Sequence, residues 1–253
     1  MVLNIKLFLL FLLQIIFFSS DCWSQEKKDH KWFRIDLAGL ATSQRVFRGA
    51  VFYPYPTAFV GPSITLFEHL SIRGPNIAWT QGSRFDSHQW ELGIRFITDG
   101  APFIEFSNKF NEDTDYRASR SDAFEVYSRY NYRFGFRKLF EVGFELAKET
   151  HRHKGVYMDL NFKVPVYKYL SLNFTTGLGT KNHNRYIYGF NGKSGLTHEE
   201  ITLTYALPKL PWSGLIILDA SQNWVIQKTN REANLVRGNA DQFIVGLKLF
   251  WFL

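Results

Sequence analysis

The sequence predicts an all-β chain, an antiparallel transmembrane β-barrel of about 12 strands with short periplasmic turns and longer external loops. Three observations predict it. The closing stretch places an apolar residue at every second position, Phe243, Val245, Leu247, Leu249, Trp251 and Leu253, while Gly246 and Lys248 share the other face. Residues 1–24 read as an export signal, and no later stretch is long and apolar enough for a membrane helix. Short and long connections alternate between the predicted strands, with both ends of the mature chain on the short side.

The first element is the signal peptide. Lys6 supplies the positive start, Leu7 to Phe18 is an apolar run, and Ser19 to Gln25 turns polar. The run is too short for a bilayer span, which needs about 20 apolar residues. Cleavage after Ser24, with Cys22 and Ser24 as small recognition residues, is weighed against lipid attachment at Cys22. Asp21 before that cysteine disfavours the lipid. The expected organisation is therefore a signal at 1–24 and a barrel domain at 25–253. The mature domain then holds no cysteine, since the chain has 1, at position 22. Without disulfides, an exported domain of this kind rests on its sheet.

Twelve candidate strands follow, at 32–40, 57–67, 70–80, 88–98, 101–108, 122–134, 139–148, 155–164, 169–178, 197–207, 213–222 and 242–253. Ten tilted residues cover roughly 25 Å of membrane normal, the height of an outer-membrane apolar band. The connections expected to be short are Glu68–His69, Asp99–Gly100, Gly135 to Lys138, Pro165 to Lys168 and Pro208 to Trp212. The long ones include 41–56, 109–121, 178–196 and 223–241. Trp32, Phe136, Tyr167, Tyr169, Trp212 and Trp251 fall at the short-turn side, where an aromatic girdle belongs. Ten strands is the alternative count. Val46 to Tyr53 could form a strand of its own, and Gly74 and Pro75 weaken the ladder around 72–79.

The alternation is clearest from Phe124 to Phe134. Phe124, Val126, Ser128, Tyr130, Tyr132 and Phe134 share one face, and Glu125, Tyr127, Arg129, Asn131 and Arg133 the other. A slip of one residue would push Glu125, Arg129 and Arg133 into lipid, at roughly 2–4 kcal/mol for an arginine near the midplane, so the faces are strongly assigned. The next strand turns Phe140, Val142, Phe144 and Leu146 outward and Glu141, Gly143 and Glu145 inward. A tight turn centred on Arg137 sets Arg133 opposite Glu141 and Arg129 opposite Glu145. These lumen charge pairs either brace the wall or stand separately solvated in a wet channel. Both readings stay open.

Composition agrees. Aromatic residues make up 17% of the chain, yet the mean hydropathy is −0.18, so apolar residues are dispersed in alternation rather than bundled in helices. The formal net charge is +7. A basic surface suits outer-membrane lipid and the phosphates of lipopolysaccharide, and no lysine or arginine run is dense enough to argue for nucleic acid.

Chemistry-bearing motifs are scarce. His151, His153 and His183 sit beside Arg152 and Lys154 with no carboxylate or cysteine at ligand spacing, which argues against a metal. Gly177, Gly179 and Thr180 lack the Gly-x-x-x-x-Gly-Lys pattern of a phosphate cradle. Ser87 and His88 would point to opposite faces of a strand, and Asp113 and Asp115 lie in a polar loop, so no nucleophile stands beside a base. The expectation is a protein without cofactor that is not an enzyme.

The segment Tyr186, Tyr188, Gly189, Ser194 and Gly195, within RYIYGFNGKSGL, resembles the tyrosine-rich stretch of the MipA/OmpV family of barrels, named for a protein that interacts with a murein transglycosylase. Pro54, Tyr55 and Pro56 lead into the second strand in a similar way. Ser221 to Val225 stand where that family carries an Asp-Ser-Pro run. The resemblance implies an outer-membrane barrel that anchors a scaffold linking the envelope to peptidoglycan-remodelling enzymes, with a murein transglycosylase or other peptidoglycan-synthesis protein as partner. The alternative is a narrow channel for small solutes. Its inward residues of both signs, among them Arg34, Asp36, Glu91, Arg95, Asp159, Lys163 and Lys248, would give little charge selectivity in an open lumen. It would conduct nothing if the charges pair and the long loops fold inward.

Overall fold

The computed structural model describes residues 33–82, 86–97, 104–105, 122–135, 139–151, 153–189, 192–207, 214–233, 235–236 and 240–252. The signal expected at 1–24, and Trp32, Phe136 and Trp212 of the expected girdle, lie outside them.

Alternating β-branched and aromatic residues on one side, with small and polar ones on the other, favour a pleated, two-faced strand. The strands so formed are, in order, β1 (Phe33–Thr42), β2 (Arg45–Phe47), β3 (Ala50–Tyr53), β4 (Thr57–Leu66), β5 (Leu70–Arg73), β6 (Asn76–Gln81), β7 (His88–Ile97) and β8 (Ile104–Glu105). They continue with β9 (Ala123–Phe134), β10 (Phe140–Glu149), β11 (Val156–Tyr167) and β12 (Leu170–Gly179). Then come helix α1 (Lys181–Tyr188), β13 (Gly195–Ala206), β14 (Gly214–Val225), helix α2 (Lys228–Arg231) and β15 (Asp241–Phe252).

Twelve of these strands close into an antiparallel barrel. β4 to β7 and β9 to β15 pair in sequence order, β7 pairs with β9, and β1 closes the ring against β15 on one edge and β4 on the other. Closure gives every wall strand two neighbours, so most wall backbone groups pair within the sheet rather than with water. In the β9–β10 register Arg133 opposes Glu141 and Arg129 opposes Glu145.

The twelve wall strands are not the twelve read from the sequence. Residues 70–80 are two strands: the chain reverses at Gly74 (φ +53) and Pro75, so that Leu70 pairs with Trp79 and Arg73 with Asn76. Glycine reaches that left-handed conformation without a Cβ clash, and proline offers no N–H to a continuing ladder. Within 101–108 the described strand is Ile104–Glu105 alone, which pairs with Thr57 and Ala58 at the end of β4 and adds no wall strand. One division offsets one loss, so the count stands while the direction of β7 reverses. The described ends of the β6–β7 connection, Gly82 and Asp86–Ser87, therefore fall at the short-turn end, while the turn expected at Asp99–Gly100 lies outside the described residues. Val46 to Tyr53 likewise adds nothing to the wall, because β2 and β3 form a separate two-stranded sheet.

The outer wall is apolar. Val60, Ile77, Ile94, Leu160, Phe162, Phe174, Leu203, Leu218, Val245 and Leu247 all project outward and are exposed. Around the short-turn end they give way to a ring of aromatics: Trp79, Trp90, Tyr132, Phe134, Tyr167, Tyr169, Tyr205 and Trp251 are exposed there. Several pack on one another, Trp90 tilted against Tyr130 (4.4 Å) and Phe134 stacked on Phe140 (5.7 Å). A continuous apolar belt with an aromatic rim is the lipid-facing surface of an outer-membrane barrel. Among the described residues no helix is long and apolar enough to cross a membrane, so the strands carry the span. Leu160 lies mid-wall, opposite Phe144 and Thr176. Leu160→Arg is expected to lower stability by about 2–4 kcal/mol in urea titrations of the vesicle-inserted protein.

Candidate functional site

The inward faces of β7, β9 and β10 carry arginines and glutamates at matched heights, because residues opposite one another across paired strands share a face. Near the turn end Arg133 pairs with Glu141 and also donates to Gln89 Oε1 at 2.8 Å. One step up, Arg129 pairs with Glu145 and lies 3.9 Å from Glu91, whose Oε1 accepts the Tyr127 hydroxyl at 2.8 Å. Arg95 bridges Glu145 and Glu125. Glu145 thus receives two arginines from the wall.

A third comes from outside the wall. β2 and β3 form a hairpin whose two-residue turn, Arg48–Gly49, has φ of +51 and +76. Positive φ at both central residues matches the twist of a tight hairpin, and it is costly for a side-chain-bearing residue such as Arg48. Ion pairing offsets that cost. Arg48 is buried, donates to both oxygens of Glu125 at 2.6 and 2.9 Å and reaches Glu145 at 3.4 Å. Its guanidinium lies over the Tyr157 ring at 3.7 Å and the Phe47 ring at 4.6 Å. Burial alone would lower the Arg48 pKa; Glu125, aided by Glu145, more than reverses this, so the pKa is raised and the group stays charged.

The opposite side of the lumen holds the same turn. Gln242 Nε2 donates to the Gly49 carbonyl at 3.0 Å, and the Tyr188 hydroxyl donates to the Arg48 carbonyl at 2.6 Å. A Cβ on Gly49 would meet the His198 Cβ at 2.5 Å, so the hairpin tip rests directly on β13. The tip therefore reaches across the lumen, from β9 and β10 to β13 and β15.

Other loop-end segments fold in beside it. α1 buries His183, Asn184, Tyr186, Ile187 and Tyr188. It stacks Tyr186 on His153 (4.4 Å) and His183 near Tyr157 (5.0 Å). Burial, reinforced by the Arg48 charge, holds the His183 pKa well below the usual imidazole value and keeps the ring neutral. Glu149 accepts backbone N–H groups from His151, His153 and Lys154, which pins the β10–β11 loop over the mouth. Arg231 of α2 grips Asp241 with both nitrogens, at 2.7 and 2.8 Å. Ala50, Phe52, Ile187, Tyr188, Val225 and Val236 complete a dry apolar cluster at this end.

Toward the turn end the lumen is wet. Arg34 pairs with Asp36 at 2.8 Å, and Lys248 with Asp219 at 2.6 Å. Both cations face inward yet remain exposed, and higher on β1 so does Leu40, opposite Lys248.

All four residues of the proposed charge pairs thus face the lumen, Arg133 with Glu141 and Arg129 with Glu145. Sequence reasoning missed Arg48, which stands 77 positions from Glu125 and sits in what reads as an ordinary loop. An Arg-Gly pair between short β-prone runs was the available signal. His153 lies near enough to His183 to contribute to its lowered pKa, but no metal-binding group of three or more His, Cys, Asp or Glu occurs among the described residues. Gly177 and Gly179 face Thr197, His198 and Asn184, where a Cβ would meet atoms at 2.4 and 2.2 Å. They make room for the plug rather than for a phosphate.

No family model matches the chain, and neither does any curated protein. The solved structures it resembles include a NanC porin, at 11% identity and TM-score 0.41, covering 87% of this chain and 99% of that one. An outer membrane channel from Pseudomonas putida F1 is similar at 6% identity and TM-score 0.38, over 91% of this chain and 100% of that one. The outer membrane protein OpdK from Pseudomonas aeruginosa is similar at 11% identity and TM-score 0.36, over 87% of this chain. This chain spans 57% of the OpdK chain.

Proposed function

We propose that the protein is a narrow outer-membrane channel for small solutes, constricted at its loop end by the β2–β3 hairpin. One observation carries the reading: Arg34 and Lys248 point into a closed barrel and are nevertheless exposed, so water reaches the turn half of the lumen. A barrel built only as a membrane anchor has no use for that space and would fill it with side chains. At the other end the Arg48 cross-brace narrows the path. Solutes would pass beside the hairpin rather than through an open bore, which suits small, hydrated molecules.

The envelope scaffold implied by the resemblance to MipA/OmpV barrels would need a docking surface at the turn end. The described turns there include Phe67–His69 and Lys168–Tyr169. Such turns offer little of the roughly 1,000 Å² or more that a stable interface buries, and this supports the channel over the scaffold. Liposomes containing the refolded protein are expected to swell in small neutral and charged solutes and not in large sugars. Liposomes with demonstrably folded protein that admit no solute would count against the channel.

A further inference from the structure

We propose that the lumen prefers small anions, because its ion pairs are oriented with the cation toward the water and the carboxylate toward the wall. This rests on the channel reading. The formal charges facing inward are mixed, so a simple count gives no preference. Exposure separates them: Arg34 is 45% exposed and its partner Asp36 7%, Arg129 39% and Glu145 2%, Lys248 45% and Asp219 11%.

The asymmetry has a structural cause. The carboxylates are short and are held against the wall by donors of the wall itself, as Thr204 Oγ1 holds Asp219 at 2.7 Å. The arginine and lysine stems are long and carry their charge toward the lumen axis. The pairs stand on two sides of the barrel, with Arg34 on β1 and Lys248 on its neighbour β15, and Arg129 across the lumen on β9. A passing ion therefore meets positive charge from both sides, and low-dielectric walls focus that field. The order reverses at Arg133 and Glu141, which are 13% and 21% exposed. That pair and Arg34 both sit near the turn-end rim, where bulk water screens them more strongly, so Arg129 and Lys248 set most of the preference.

The test is the reversal potential of the protein in a planar bilayer separating unequal KCl solutions. The expected result is chloride favoured over potassium by roughly threefold, the scale set by a potential of order kT from lumen cations. Lys248→Gln and Arg34→Gln, both at exposed side chains, should each move the ratio toward unity without loss of heat-modifiability on gels. A conducting protein with no preference, or with a preference for potassium, overturns the anion proposal and leaves the channel standing. So does an anion preference that survives both substitutions together. A folded, inserted protein that never conducts overturns both.

Discussion

Glu145→Gln is expected to destabilise the barrel more than any other single lumen substitution. Three guanidiniums converge on this buried carboxylate: Arg48 at 3.4 Å, with Arg95 and Arg129 closer. The amide keeps the shape and removes the charge, leaving Glu125 to answer Arg48 and Arg95, and Glu91 at 3.9 Å to answer Arg129. Removing one partner of a buried pair costs about 3–5 kcal/mol where the remaining charge is left unanswered; because Glu125 and Glu91 still answer the arginines, the loss falls toward the lower end of that range. Removing the charge from an exposed pair costs about 1 kcal/mol or less. Arg231 and Asp241 form such a pair, so Asp241→Asn is the matched control. Urea unfolding of the vesicle-inserted proteins should show a much lower midpoint for Glu145→Gln than for Asp241→Asn. Equal losses would mean that the cross-brace adds nothing beyond a surface ion pair.

Replacing Arg45 to Tyr53 by a short Gly-Ser link is expected to raise conductance several-fold. The hairpin is not a wall strand, so its removal breaks no barrel ladder. It does remove Arg48 and Phe47 from the lumen and frees Gln242 and Tyr188 from the carbonyls they hold. Glu125 and Glu145 would lose one of their arginines, and Arg95 and Arg129 would still answer them. The shortened protein should therefore fold and span, with a modest drop in stability. Single-channel steps of the same size with and without the hairpin would place the constriction elsewhere.

Much of the wall was legible in the sequence because lipid and water enforce the two-residue period. The inward set Glu125, Arg129, Arg133, Glu141 and Glu145 follows from parity alone, and so does the outward set ending at Trp251. The failures lie where that period stops deciding. Around 70–81 both strands of a hairpin keep outward apolar positions, Leu70 and Ile72, then Ile77 and Trp79. A continuous strand and a hairpin then differ only in whether Gly74 and Pro75 are a blemish or a turn. The short β5 and β6 make a turn correct, and its neglect reversed the direction assigned to β7.

The plug was less legible than the wall, because loop residues obey no period. Arg48 meets Glu125 across a long stretch of chain, and Arg-Gly is a weak local mark of a hairpin turn when Asn-Gly or Asp-Gly is the usual signal. The RYIYGFNGKSGL segment could be read as a family-like stretch. In the structure its first half is the helix that lays Tyr186, Ile187 and Tyr188 into the mouth. The glycines at 177 and 179, weighed in the sequence only as a phosphate cradle, mark where that helix and His198 press against β12. A glycine on the inward face of a barrel strand is thus a usable sign that something docks inside.

The most direct test of the central claim is single-channel recording of the unmodified, refolded protein in a planar bilayer, with insertion verified by heat-modifiability and protease protection. The account predicts small, steady current steps, as a wet lumen narrowed at one end should give. An inserted, folded protein that stays silent at every voltage would contradict it.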